Sequence, residues 1–136
     1  MKNPFSLLCL CALLLVACGG SALPSESDGE SPLAAVPTEY AGRTNPLGAD
    51  AAVQGAEVFQ SNCAMCHGPE GHGDGPAGQS LDPRPRNLAD VQAKAADDYL
   101  FWRIHAGKPG TSMVAWKGIL TDEPIWQVVS FLRTFE

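Results

Sequence analysis

The chain has 136 residues, 45% of them apolar, and carries 9 Lys and Arg against 15 Asp and Glu, a formal charge of -6 at neutral pH. That length holds one small domain with a single core. So acidic a balance argues against nucleic acid, whose phosphates call for basic patches, and suits a basic docking surface on a partner.

The chain opens MKNPFSLLCLCALLLVAC, with a positive charge at Lys2 and an apolar run from Phe5 to Val16 broken only by Ser6. A helix crossing ~30 Å of hydrocarbon needs about 20 apolar residues, so this shorter run reads as an export signal over residues 1–17. The run ends on Leu15-Val16-Ala17-Cys18, which resembles the lipobox of bacterial lipoproteins. That resemblance implies cleavage before Cys18 and a diacylglyceryl thioether on its sulfur, which tethers the protein to the periplasmic or outer face of a bacterial membrane. One acyl chain is marginal at ~0.8 kcal/mol per buried methylene, and two or three anchor stably. Loss of Lys2 with the signal takes the charge from -6 to -7. Of the five cysteines, Cys9 and Cys11 leave with the signal and Cys18 is lipidated. Cys63 and Cys66 then remain for chemistry in an exported, oxidising compartment.

Residues 18–48 read as a lipid-anchored, proline-rich linker. Pro24, Pro32, Pro37 and Pro46 punctuate it, four acids precede Arg43, and no apolar period is present. As a coil, Gly19 to Gly48 spans roughly 30 Å, and extended it reaches about 90 Å. Its second half, VPTEYAGRTNPL, carries Val36, Tyr40 and Leu47, so an arm packed on this or another subunit is an equal reading.

Residues 49–136 show helical patterns and no strand alternation, which predicts an all-α domain with three main helices. The first is capped by Asp50 and runs to about Asn62, with Ala52, Gly55, Ala56 and Phe59 on one face. A second begins near Asp97, buries Leu100, Phe101 and Ile104, and stops at Gly107. A third starts from Thr121 as cap, with Asp122, Glu123 and Pro124 in its first turn and Ile125, Val128, Val129 and Leu132 aligned. The stretch from Gly68 to about Asn87 is too poor in apolar residues to build a core unaided.

Cys63-Ala64-Met65-Cys66-His67 is a CxxCH pattern, the sequence form of covalent haem c attachment. One helical turn separates two sulfurs that can each join a haem vinyl group, and the adjoining imidazole reaches the iron. A large apolar macrocycle also supplies core that a domain of this size lacks. A thioredoxin-like dithiol wants a strand before the motif, and structural zinc wants four ligands where one CxxC pair exists. Neither pattern is met.

Residues 50–136 resemble a class I monohaem cytochrome c. The likeness rests on Gly55 and Phe59, then CxxCHG, the loop LDPRPRNL, Ile104-x-x-Gly107 before a methionine, and a last helix with Trp126 and FLRTF. It implies one haem c held by Cys63 and Cys66, with His67 as proximal iron ligand, and a crossing of first and last helices near Gly55 and Phe131. For the distal ligand, Met1 leaves with the signal and Met65 is pinned between the cysteines, which leaves Met113. Val114 follows it where the family usually has proline. His72 is too close to His67 to swing round a haem, and His105 is a lesser alternative. A carbonyl of Pro83 or Pro85 is expected to accept from His67, and Trp116 with Tyr99 or Trp102 to line the pocket.

The implied function is transfer of single electrons between redox proteins, with no catalytic residues, since no acid–base or nucleophile constellation is present. The anchor, the VPTEYAGRTNP arm and the GHGDGPAG loop also resemble the small monohaem lipoprotein subunits of alternative complex III. That likeness implies a fixed relay among the subunits of a quinol-oxidising membrane complex. A ligand-sensing or catalytic haem would need an open iron site.

Overall fold

The computed structural model describes residues 32–136, so the expected signal, the lipobox and Cys18 lie outside the described residues. Five α-helices follow in order: α1 (Ala52–Asn62), α2 (Ala64–His67), α3 (Leu88–Gln92), α4 (Asp97–Ala106) and α5 (Asp122–Leu132), with 3-10 turns at Ala49–Ala51 and Gly78–Ser80. The described residues contain no strand, and the class is all-α as expected. None of their helices is long and apolar enough to cross a membrane.

The closest helix contact is between α1 and α5. Gly55 is buried there, and a Cβ added to it would run into the carbonyl oxygen of Gln127 and touch Cβ of Phe131. Only a residue without a side chain lets the two backbones approach this closely. Below the crossing, Phe59, Phe131 and Phe135 form an aromatic trio with centroids 5.0 to 5.7 Å apart. On the other side of α5, Trp126 stacks on Phe101 of α4 at 4.2 Å. Leu100, Phe101, Ile104, Ile125, Val128, Val129 and Leu132 complete the core, matching the apolar spacing read from α4 and α5.

The helix ends differ in detail from expectation. Asp50 does not cap α1. It lies inside the 3-10 turn, whose backbone bonds satisfy the first amides instead. Thr121 is the extended residue before α5, but its side chain makes no capping bond. α3 was not anticipated: Asn87 caps it, its side chain accepting from the Ala89 amide at 2.9 Å. Gly107, at φ 69°, ends α4 as expected.

Leu33–Glu136 forms one compact unit, so the second half of the linker segment packs on the helices as an arm. Tyr40 is buried against Phe101 and Trp102, and its hydroxyl meets Nδ1 of His105 at 2.9 Å. Asn45 donates to the Trp126 carbonyl and to Ser130 Oγ of α5, while its own amide donates to Asp97. Arg133 ties the chain end back, donating to the carbonyls of Gln92 and Ala95 and to Asp97 at 2.6 Å.

Two measurements probe this framework. Gly55→Ala overpacks the crossing and is expected to cost about 1–3 kcal/mol in urea unfolding. Partial burial pushes the Asp97 carboxyl up, but hydrogen bonds from Arg133 and the Asn45 amide, with the Arg133 charge, outweigh it and hold the group below its usual value. A folded pKa below the unfolded one contributes stability above about 3.9 that is lost as pH falls through the folded value. The stability gap between the native chain and Asp97→Asn is therefore expected to be constant from neutral pH to about 5 and to shrink on further acidification.

Candidate haem-binding site

α1 delivers Cys63: its amide donates to the Phe59 carbonyl at 2.8 Å and it is the residue on which α1 ends. The chain then restarts as α2, where the Cys66 and His67 amides both donate to the Cys63 carbonyl, at 3.1 and 2.9 Å. This single turn holds both sulfurs and the imidazole along one wall of a cavity of about 320 Å³, within the range of roughly 300–1,000 Å³ usual for small-molecule pockets.

The glycine-rich loop after the motif backs this turn. Gly73 and Ala77 donate their amides to the carbonyls of His67 and Met65. At Gly78, a Cβ would run into the carbonyl oxygen of Cys66, so the loop lies directly on the motif's backbone. The loop's sparse apolar content follows, since its role is close backbone approach.

The opposite part of the cavity is built by the turn after α4. Gly107 packs against the backbone of Met113 to Ala115. The Lys108 amide donates to the Met113 carbonyl, Trp116 donates to Ile104, and Thr111 Oγ1 accepts from the Met113 amide. Met113, half-buried, therefore lines the same cavity as Cys63, Cys66 and His67. α5 contributes Val128 and Leu132, α1 Phe59, and α4 Leu100 and Ile104.

The other candidates separate cleanly. Met65 is 62% exposed and does not line the cavity. His72 is exposed beside Glu70, at 3.3 Å. His105 is turned to Tyr40 and stacks on Phe101. Tyr99 and Trp116 line the cavity, whereas Trp102 does not. The expected bond from His67 to Pro83 or Pro85 is not formed: Nδ1 of His67 is buried without a partner, and the Pro85 carbonyl packs against Gly73.

Electrostatics favours neutral donors. Burial lowers the His67 pKa, which keeps the imidazole uncharged as iron ligation requires. Burial, and then the neighbouring Cys66, pushes the Cys63 thiol up to about 12. Redox-active CxxC cysteines show the reverse, a depressed pKa that yields a reactive thiolate. A thiol raised so far makes Cys63 a poor attacking group, and no cluster of three or more His, Cys, Asp or Glu among the described residues could hold a metal ion by itself.

Residues 50–132 match the protein family described as cytochrome c oxidase, cbb3-type, subunit III. The chain belongs to this family. Its cytochrome c domain is similar to a chain of the Kuenenia stuttgartiensis reducing HAO-like protein complex, 34% identical with a TM-score of 0.54 over 60% of this chain and 41% of that one. It spans less than half the length of that relative. The c-type cytochrome KustC0563 is 29% identical with a TM-score of 0.49, over 60% of this chain and 96% of that one. Cytochrome cL of the marine methylotroph Methylophaga aminisulfidivorans is 22% identical, with a TM-score of 0.49 over 62% and 53% of the two chains. No curated protein matches the chain significantly.

Membership makes this cytochrome c domain an electron-transfer unit with covalently bound haem c. The residues present fit that group: a paired-thiol turn, a neutral buried imidazole with an orphaned nitrogen, and apolar walls. One feature of the site was not read from the sequence. Arg84, Arg86, Arg103 and Lys108 also line the cavity. Two of them stand in PRPRN, but nothing in that spacing says which way the loop faces.

Proposed function

We propose that the protein is a lipid-anchored monohaem cytochrome c that passes single electrons between redox proteins at the outer face of a bacterial membrane. Cys63 and Cys66 would hold the haem through thioethers, His67 and Met113 would ligate its iron, and Cys18 would carry the lipid. The observation that carries this reading is the convergence of the CxxCH turn and Met113 on one apolar cavity, although 46 residues separate His67 from Met113 in sequence.

Bound there, haem supplies an iron that alternates between ferrous and ferric. The chain's residues do the rest. Two protein ligands leave no site for a substrate, which suits a carrier over a catalyst or sensor. A thioether sulfur is a soft donor that favours the ferrous state and raises the potential. The apolar walls from Phe59, Leu100, Val128 and Leu132 exclude water and lower the change in solvation that accompanies each electron. The glycine loop, bonded to the motif's carbonyls, keeps the proximal turn still.

Similarity to a chain of a multi-protein complex supports a second reading, a fixed relay inside a larger redox assembly; that this assembly oxidises quinol in a membrane rests only on the resemblance of the anchor, arm and glycine loop to alternative complex III subunits. Mild detergent separates the two, releasing a carrier alone and a relay together with membrane subunits.

Two measurements test the assignment. Intact mass of the native protein is expected to show one haem plus acyl groups on a chain beginning at Cys18; a mass lacking either addition removes that part of the reading. The reduced native protein is expected to be low-spin and to bind carbon monoxide poorly, while Met113→Ala binds it rapidly and stoichiometrically. Rapid binding by the native protein would exclude Met113 as a firm ligand.

A further inference from the structure

Tyr40 and His105 do not line the cavity, yet both stand directly behind the wall that α4 gives it. One side of α4 presents Tyr99, Leu100, Arg103 and Ile104 to the cavity. Its other side presents Phe101, Trp102 and His105 to the arm. There the His105 ring is gripped between neighbours. Its face stacks on Phe101, with centroids 5.4 Å apart and planes at 20°, and the Tyr40 ring meets it at 62° with centroids 5.5 Å apart. With its proton on Nε2, which faces Asp122 Oδ1 at 3.9 Å, the imidazole accepts from the Tyr40 hydroxyl at Nδ1, at 2.9 Å.

The helix turn gripped in this way is the one that carries the Met113 loop. α4 ends at Ala106, which leaves the carbonyls of its last turn without partners inside the helix. The segment returning from Met113 takes two of them: Ile104 accepts from the Trp116 amide at 3.2 Å, and His105 from the Lys117 amide at 3.0 Å. At the other end of the loop the Lys108 amide donates to the Met113 carbonyl, and Gly107 lies against the backbone of Met113, Val114 and Ala115. Fraying of the last turn of α4 and release of Met113 therefore break the same bonds. Local opening begins at such element ends, and the Tyr40–His105 bond ties this one down.

We propose that Tyr40 is a positioning residue for the distal iron ligand: it grips the His105 ring and so fixes the helix end to which the Met113 segment is bonded. This deepens the haem reading above and rests on Met113 as the second axial ligand. It gives His105, which the cavity does not use, the task of anchoring the arm. It also makes the arm part of the site at one remove. A hydroxyl-to-imidazole bond shifts a local opening equilibrium by roughly two- to tenfold. The effect is one of population: Met113 remains the ligand in the closed molecules, and the open fraction grows when the bond is lost.

The test uses the full-length holoprotein in its reduced form. Carbon monoxide reaches the iron only in molecules whose Met113 is displaced, so its binding rate reads that population. Tyr40→Phe keeps the ring and removes the hydroxyl, and is expected to bind carbon monoxide roughly two- to tenfold faster than the native protein. His105→Leu should do the same, and the two changes together should do no more than His105→Leu alone. His105→Asn, which keeps a polar partner for the hydroxyl, should stay near the native rate. In the Met113→Ala background Tyr40→Phe should change nothing, because the ligand it positions is gone. Amide exchange localises the effect: Trp116 and Lys117 should exchange faster by a similar factor in Tyr40→Phe, with the amides of Cys66 and His67 unchanged. Arg133→Gln cuts the ties from the chain end to Gln92, Ala95 and Asp97; it should lower overall stability and leave the carbon monoxide rate alone. A native rate in Tyr40→Phe, an equal acceleration in Arg133→Gln, or an acceleration that persists in the Met113→Ala background overturns the proposal and leaves the haem reading intact. A native protein that already binds at the Met113→Ala rate removes the Met113 ligand and the proposal together. Absence of haem absorbance overturns the haem reading as well.

Discussion

Everything at the site depends on how closely α1 crosses α5. Gly55 sits where any side chain would strike the Gln127 carbonyl, and that absence sets the height of α1 above α5. About two turns later α1 ends on Cys63, while α5 sends Val128 and Leu132 to the floor of the cavity. The crossing therefore fixes the distance between the haem-attachment turn and the apolar surface a macrocycle rests on. Displacement at Gly55 propagates through a rigid helix to the sulfurs, because a close-packed interior transmits strain in place of absorbing it.

The second half of the site is a loop made rigid by its own bonds. Between Gly107 and Trp116 the chain leaves α4 and returns to bond the carbonyls of Ile104 and His105. Met113 is carried on that return and not on a helix. Such loops ordinarily have freedom, but here Thr111, Lys108 and Met113 close on one another, and Gly107 permits contact with the backbone of Val114. Proline after the methionine, usual in the family, would stiffen the loop by fixing φ. With Val114 there instead, the internal bonds carry that duty, and an apolar side chain is left at the mouth.

What could be read from sequence was whatever depends on period or on a local motif. Apolar spacing located α4 and α5 with their buried residues, because a helix facing a core repeats on its own period. CxxCH is local chemistry, and His72 and Met65 were set aside by chain geometry; both side chains are exposed. The entry to α1 was misread because backbone 3-10 bonds can replace a capping side chain, and no residue type signals which will occur. α3 escaped because five residues make too short a pattern, although Asn87 before Leu88 was a legible cap. The expected carbonyl partner of His67 failed for a different reason: the direction of the Pro85 carbonyl is set by packing on Gly73, a contact between distant loops. The four cations at the cavity belong to the same class, since facing is a tertiary property.

The arm changes the physical meaning of the proposed anchor. Were residues 19–48 all free, the domain could swing on a tether of about 90 Å at full extension. Tyr40, held by Phe101, Trp102 and His105, and Asn45, bonded to α5, remove the second half of that length. Only 14 residues, Gly19 to Pro32, then separate Cys18 from the packed Leu33. As an extended polyproline II segment, at ~3.1 Å per residue, they would span about 45 Å. Arg43, which lies over the rings of Tyr40 and Phe101, adds to the hold. No arm residue lines the cavity, so the attachment that shortens the tether leaves the mouth clear. Under the proposed anchor, a domain so tethered would trade reach for local concentration, meeting a partner of modest affinity often and releasing it quickly.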